Sequence, residues 1–171
     1  MTFPWKSGRA ICVGECMVEL ARGDDQRFGL GYGGDTFNTA VYLSRAGVAV
    51  AYATAVGDDP YSAGIVQTAR REAVDTDLIV TVPGRLPGLY LIETTPDGER
   101  TFWYWRDRAP ARELFELADA ERIADELRKA SLVYFSGITL SLYSERGLER
   151  FAAALRAARQ AGALVAMDSN Y

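Results

Sequence analysis

The stretch that most constrains this chain is Gly31-Tyr32-Gly33-Gly34-Asp35-Thr36-Phe37-Asn38, three glycines within four positions running into helical spacing. Backbone without Cβ atoms lets a ligand approach the main chain closely. Asp35 or Thr36 reads as the N-cap of a helix through Asn38, Val41 and Leu43, with Gly47 as its stop. A Gly-rich turn that feeds a helix start is where α/β proteins often seat ligands.

The segments on either side supply the sheet. Ala10 to Leu20 reads as one strand, apolar on both faces at first and alternating later, and Val48 to Val56 as a second buried strand. Gly57-Asp58-Asp59-Pro60 caps a helix to about Ala73, and Leu78 to Val82 is a short third strand. Glu113 to Ala130 reads as a charged amphipathic helix, Leu132 to Phe135 as a strand ending at Ser136-Gly137, and Ser144 to Ala161 as another helix. Val165 to Asp168 is the last strand. This alternation predicts a mainly parallel sheet with helices on both faces. The chain stops at Asp168-Ser169-Asn170-Tyr171, where no helix covers the final strand, so the reading is the front part of a larger domain.

One region breaks the pattern. Gly88 to Glu93 and Arg100 to Arg106 flank Thr95-Pro96-Asp97-Gly98-Glu99, which fits a type I turn with Gly98 in the left-handed position. That hairpin pairs Thr95 with Glu99, Ile92 with Phe102 and Tyr90 with Tyr104. Strand period then puts Tyr90, Tyr104 and Arg106 on one face and Leu89, Leu91, Trp103 and Trp105 on the other. A hairpin aromatic on both sides does not stand alone in water. One face is expected to cover a ligand and the other to meet a second surface; packing on its own core is the alternative.

Composition excludes several classes. The 171 residues carry a net charge of −4 with both signs dispersed, so no basic patch points to nucleic acid. The stretch from Met1 to Arg9 lacks the apolar segment of a signal peptide, and no run approaches the ~20 apolar residues that span a bilayer. A cytoplasmic protein is expected. Cys12 and Cys16, read on one strand, would lie roughly 13 Å apart, beyond the ~7 Å limit for a disulfide. Histidine is absent, which removes Ser-His and Cys-His catalysis and leaves carboxylates as proton acceptors.

The glycine stretch matches neither G-x-G-x-x-G nor a Walker-type loop. Asp35 also puts a carboxylate where a phosphate needs positive potential. A polyol suits it better, because Asp35 and Asn38 accept from and donate to hydroxyls. A tight strand-to-helix turn with an Asp cap accounts for the same residues. Arg106 adds a bidentate partner for a carboxylate or phosphate, or is an exposed arginine beside Asp107. Gly57-Asp58 is explained by helix capping as readily as by catalysis.

Taken in order, these motifs resemble the ribokinase-like (PfkB-type) carbohydrate kinases, and within them 2-keto-3-deoxygluconate kinases. The resemblance rests on Gly14-Glu15-Cys16-Met17-Val18-Glu19-Leu20, Gly33-Gly34-Asp35-Thr36-Phe37-Asn38-Thr39-Ala40 and Leu86-Pro87-Gly88-Leu89-Tyr90. It continues through Glu99-Arg100-Thr101-Phe102-Trp103-Tyr104-Trp105-Arg106, Phe135-Ser136-Gly137-Ile138 and Asp168-Ser169-Asn170-Tyr171, and so covers nearly the whole chain. It implies a doubly wound, mainly parallel α/β sheet, incomplete at its C-terminal end, with a small β lid drawn from about residues 16–32 and 86–108. It further implies phosphorylation of a sugar acid, with ATP and Mg²⁺ as cofactors, and a homodimer through the Leu89, Leu91, Trp103 and Trp105 face of the lid.

The resemblance places Gly33, Gly34, Asp35 and Asn38 against substrate hydroxyls, and Tyr90, Tyr104 and Arg106 above it, with Arg106 near its carboxylate. Asp168 and Asn170 join the substrate residues by the same argument. The family's catalytic Asp, in a late Gly-x-Gly-Asp motif, and its nucleotide pocket are expected after Tyr171. Glu19 stands where many relatives have a substrate-binding Asp. Two other readings follow: a kinase of another sugar such as fructose or a nucleoside, and a non-catalytic sugar-binding or interaction module.

Overall fold

The computed structural model describes residues 7–23, 25–95 and 97–170. Met1 to Lys6 of the amino-terminal stretch, Pro96 of the hairpin turn and Tyr171 of the final motif lie outside them. The apolar runs pair as a five-stranded parallel sheet in the order β5 (Ile79–Thr81), β4 (Val50–Val56), β1 (Ala10–Val13), β8 (Leu132–Ser136), β9 (Leu164–Asp168). β1 and β4 are buried along their whole length because helices cover both faces. On one side Ile11, Val13, Ala51 and Ala53 pack with Ile123 and Leu127 of α3 (Ala120–Lys129) and Phe151 of α5 (Glu145–Gln160). On the other, Cys12, Val50 and Tyr52 pack with Phe37 and Val41 of α1 (Asp35–Arg45) and Ile65 of α2 (Pro60–Arg71). The sheet is doubly wound, as the alternation of elements predicts.

Strand order reverses at β1. The chain runs outward through β4 and β5, then crosses to β8 and β9 on the opposite side. In open α/β sheets ligands bind in the crevice at this reversal, beyond the carboxyl ends of the strands.

A second sheet stands over that crevice, in the order β3 (Phe28–Gly33), β2 (Met17–Arg22), β6 (Leu89–Thr94), β7 (Arg100–Trp105). It is two antiparallel hairpins joined by parallel pairing of β2 with β6. The turn chemistry sets the register of the second hairpin. Thr95 N–H donates to Glu99 O at 2.9 Å, Gly98 takes φ 85°, and Tyr90 pairs with Tyr104 and Ile92 with Phe102.

Four expectations need correction. Ala10 to Leu20 is two strands, β1 in the main sheet and β2 in the second. The chain breaks at Gly14, where an added Cβ would meet Thr36 Oγ1 at 2.2 Å and Thr139 Oγ1 at 3.0 Å. Cys12 and Cys16 therefore belong to different segments; both are free, buried thiols whose pKa burial pushes up, that of Cys12 to about 12. Gly31-Tyr32-Gly33 is the end of a strand, and Gly34 alone makes the turn and the N-cap of α1. An added Cβ at Gly34 would lie 2.1 Å from Glu15 O, so no capping side chain fits there, and Asp35 becomes the first helical residue.

The helix expected from Glu113 is shorter. A 3₁₀ turn at Pro110–Glu113 is followed by Leu114 and Phe115, both wholly buried, and α3 begins only at Ala120. Core packing of that apolar pair takes the stretch off a single helical line. Finally, a short helix, α4 (Gly137–Leu142), follows β8, capped by reciprocal bonds between Ser136 and Thr139. Among the described residues no helix is long and apolar enough to cross a membrane.

Candidate functional site

Between the crevice and the second sheet lies a cavity of about 230 Å³. The main sheet and its helices contribute through element ends, the second sheet through one face. Glu15 follows β1, while Gly34, Asp35 and Asn38 open α1, and Ile138 and Thr139 open α4. Met17, Tyr90, Phe102 and Tyr104 come from the second sheet, and Arg106 lies just past β7.

The roof is an aromatic ladder. Tyr90 lies 6.0 Å from Tyr104 and 6.3 Å from Phe102, and Phe102 stacks on Tyr104 at an interplanar angle of 16°. Tyr90 is buried and donates its hydroxyl proton to Glu19 Oε2. Burial, and then this hydrogen bond, push its phenol above the usual range, so the proton stays and the oxygen is left to accept. Gly33 makes room for the link, since a Cβ there would be 2.6 Å from the Tyr90 hydroxyl.

The floor holds the carboxylates. Asp35 Oδ1 accepts the Thr36 N–H at 2.8 Å, and its Oδ2 accepts from Asn170 Nδ2 at 2.9 Å. Asn170 is held in turn by its N–H on Asp168 Oδ1 at 3.0 Å. Asn38 is exposed on the first turn of α1. Arg106 forms an ion pair with Glu15, which is almost wholly buried. Burial pushes the Glu15 carboxyl above the ordinary range, and the charge of Arg106 opposes that shift.

Thus Gly34, Asp35, Asn38, Tyr90, Tyr104 and Arg106 come together around one cavity. Gly33 sits behind it against Tyr90, Asn170 reaches it through Asp35, and Asp168 stands one bond further out. Sequence reasoning missed Glu15, Met17, Phe102, Ile138 and Thr139. Phe102 was within reach, because strand period puts it on the Tyr104 face; Glu15 carries no local signal of its partner. Asp58 serves as a loop acceptor, with its Oδ1 taking the Gly84 N–H at 2.9 Å.

A larger groove of about 1160 Å³ lies against the opposite face of the second sheet, lined by Val18, Leu20, Leu30, Leu89 and Trp105. Of the three arginines that line it, Arg85, Arg106 and Arg108, Arg85 is already bound to Glu113 and to Arg108 O, and Arg106 is shared with the smaller cavity. Polar groups converge in the smaller cavity, which is the better site for a small polar ligand.

The family model described as pfkB family carbohydrate kinase matches residues 8–171. Over 164 residues the chain is 44% identical to a 2-dehydro-3-deoxygluconokinase of Dickeya dadantii, covering 93% of this chain and 52% of that protein. It is 41% identical over 170 residues to the 2-dehydro-3-deoxygluconokinase of Escherichia coli K12, covering 96% and 54%. The crystal structure of a 2-dehydro-3-deoxygluconokinase from Thermotoga maritima superposes with a TM-score of 0.82 at 27% identity, covering 96% of this chain and 52% of that one. The chain spans about half the length of the curated relatives it matches.

Proposed function

Because the chain belongs to the pfkB family of carbohydrate kinases, we propose that its cavity is the sugar-acid site of a 2-keto-3-deoxygluconate (2-dehydro-3-deoxygluconate) kinase. The observation that carries this reading is the convergence on one cavity of hydroxyl partners and a guanidinium, Asp35, Asn38 and Tyr90 with Arg106. Asp35, anchored by two donors, retains lone pairs for a sugar hydroxyl. The Tyr90 oxygen, its proton engaged by Glu19, accepts a second. Tyr104 and Phe102 lie over the apolar side of the chain of carbons, and Arg106 takes the carboxylate.

In kinases of this kind, ATP and Mg²⁺ supply the phosphoryl group and neutralise its charge. The cavity does not fit a triphosphate. The start of α1, where an anion would sit, carries the Asp35 carboxylate, with that of Glu15 alongside. We place the nucleotide and metal in the part of the fold that the relatives have and these residues do not.

The second sheet acts as the lid, and its outer face is the surface for a second copy of the chain. Leu30, Trp103 and Trp105 are all more than half exposed there, too much contiguous apolar surface to leave in water. The Arg22–Glu93 ion pair and the bond from Trp103 Nε1 to Glu93 give that face a polar rim.

Thermal unfolding with added ligand tests the site. 2-Keto-3-deoxygluconate is expected to raise the melting temperature, fructose to leave it unchanged, and Arg106→Ala to abolish the shift. Stabilisation by fructose but not by the acid overturns the choice of substrate, and an undiminished shift in Arg106→Ala overturns the role of that residue.

A further inference from the structure

The cation assigned to the ligand is not free. Arg106 Nη2 lies on Glu15 Oε2, and the side chains are 18% and 2% exposed. The pair is incomplete: among the described residues neither Glu15 Oε1 nor Arg106 Nε, both buried, has a hydrogen-bond partner. Glu15 thus occupies the guanidinium with the same chemical group that a sugar acid would bring.

Glu15 has nowhere to withdraw. A Cβ at Gly88 would lie 2.6 Å from Glu15 Oε1, and one at Gly34 would lie 2.1 Å from Glu15 O, so the residue is enclosed at both side chain and backbone. Cys16 and Met17, which follow it, are buried. Arg106 is the more exposed partner and follows an exposed strand, so it is the one that can turn toward a ligand. The groups acting on Glu15 are Arg106, Arg112 of the 3₁₀ turn, Asp35 of α1, Tyr143 after α4 and its neighbour Cys16. Of these, only Arg106 makes an ion pair with it. A buried carboxylate deprived of its one paired cation is strongly disfavoured unless it is neutralised.

We propose that Glu15 is the specificity-determining residue of this cavity: its carboxylate competes internally for Arg106, and a ligand carboxylate that takes the guanidinium leaves Glu15 to accept one proton from solvent. The balance is simple. One carboxylate replaces another on Arg106, and the displaced one becomes a carboxylic acid. A small carboxylate without hydroxyls then gains little from the exchange, whereas a sugar acid adds its contacts to Asp35 and Tyr90. A neutral sugar leaves the pair intact and takes up no proton. Burial, which already favours the protonated form of Glu15, acts in the same direction.

The inference rests on the sugar-acid reading above, and calorimetry separates the two. 2-Keto-3-deoxygluconate and fructose are titrated in two buffers of different ionisation enthalpy, across neutral pH. In the native chain, binding of the acid is expected to take up about one proton, with affinity falling by up to about tenfold per pH unit as pH rises. Fructose is expected to take up none. Glu15→Gln, which removes the competitor but keeps the shape, is expected to abolish the uptake and flatten the pH profile. It is also expected to strengthen binding of pyruvate, a 2-keto acid without hydroxyls, by about tenfold or more. Acid binding without proton uptake, or uptake that persists in Glu15→Gln, overturns the inference alone. Absence of acid binding overturns the site reading and the inference with it. The native two-buffer measurement decides the matter even where Glu15→Gln does not fold.

Discussion

At Gly34 the chain has no room for a side chain. Its φ of 170° is extended backbone open to any residue, so the requirement is for space alone. A Cβ there would lie 2.1 Å from the Glu15 carbonyl oxygen, a main-chain atom that moves only with the segment between β1 and β2. Gly34→Ala is therefore expected to cost about 1–3 kcal/mol of stability. The loss is read as a lower midpoint of denaturant unfolding. A variant with an unchanged unfolding midpoint would remove the argument. Arg106 and Tyr90 share one feature: each is held by an acidic partner behind it, Glu15 or Glu19.

Among the elements, the hairpin of β6 and β7 is the one whose local chemistry and function are most closely joined. Its register sets which rings form the roof, because a slip of β7 by one residue against β6 would turn Phe102 and Tyr104 outward and bring Trp103 and Trp105 in. The turn holds that register through Gly98 at φ 85°, with its N–H on Thr95 O at 2.9 Å. Gly98→Ala places a Cβ in a left-handed backbone and is expected to cost about 1 kcal/mol. Amide exchange should show where the loss falls. Protection in residues 89–94 and 100–105 is expected to drop while β1 and β4 keep theirs. Uniform loss across both sheets would show that the hairpin does not unfold on its own.

Across the whole molecule the two sheets divide the work. The parallel sheet, with a core on each face, fixes the ends of β1 and β8 and the starts of α1 and α4. The second sheet carries aromatic groups on both faces, one over the cavity and one outward. Trp105, 60% exposed on the outer face, is the test of that surface. Sedimentation is expected to find a dimer of the native chain and a monomer for Trp105→Glu, because a charge buried within an apolar contact is not compensated. A native monomer, or a Trp105→Glu dimer, would remove the proposed role of this face.

What the sequence determined by itself was periodic or local. Continuous apolar runs marked β4, β8 and the start of β1; Asp59 and Pro60 marked the cap of α2, where the Asp59 side chain accepts from Tyr61 N–H and Ser62 N–H. Gly98 set the hairpin register, and period two then sorted Tyr90, Tyr104 and Arg106 from Leu89 and Trp103. These signals reside in neighbouring residues, so a linear reading finds them. The tertiary structure alone decided the break at Gly14, the short α4, the burial of Leu114 and Phe115, and the partners of Arg106 and Tyr90. Each depends on groups brought close from distant segments, Thr36 and Thr139 against Gly14, Glu15 against Arg106, Glu19 against Tyr90. Periodicity records which face a residue occupies; it does not record what the fold places opposite that face.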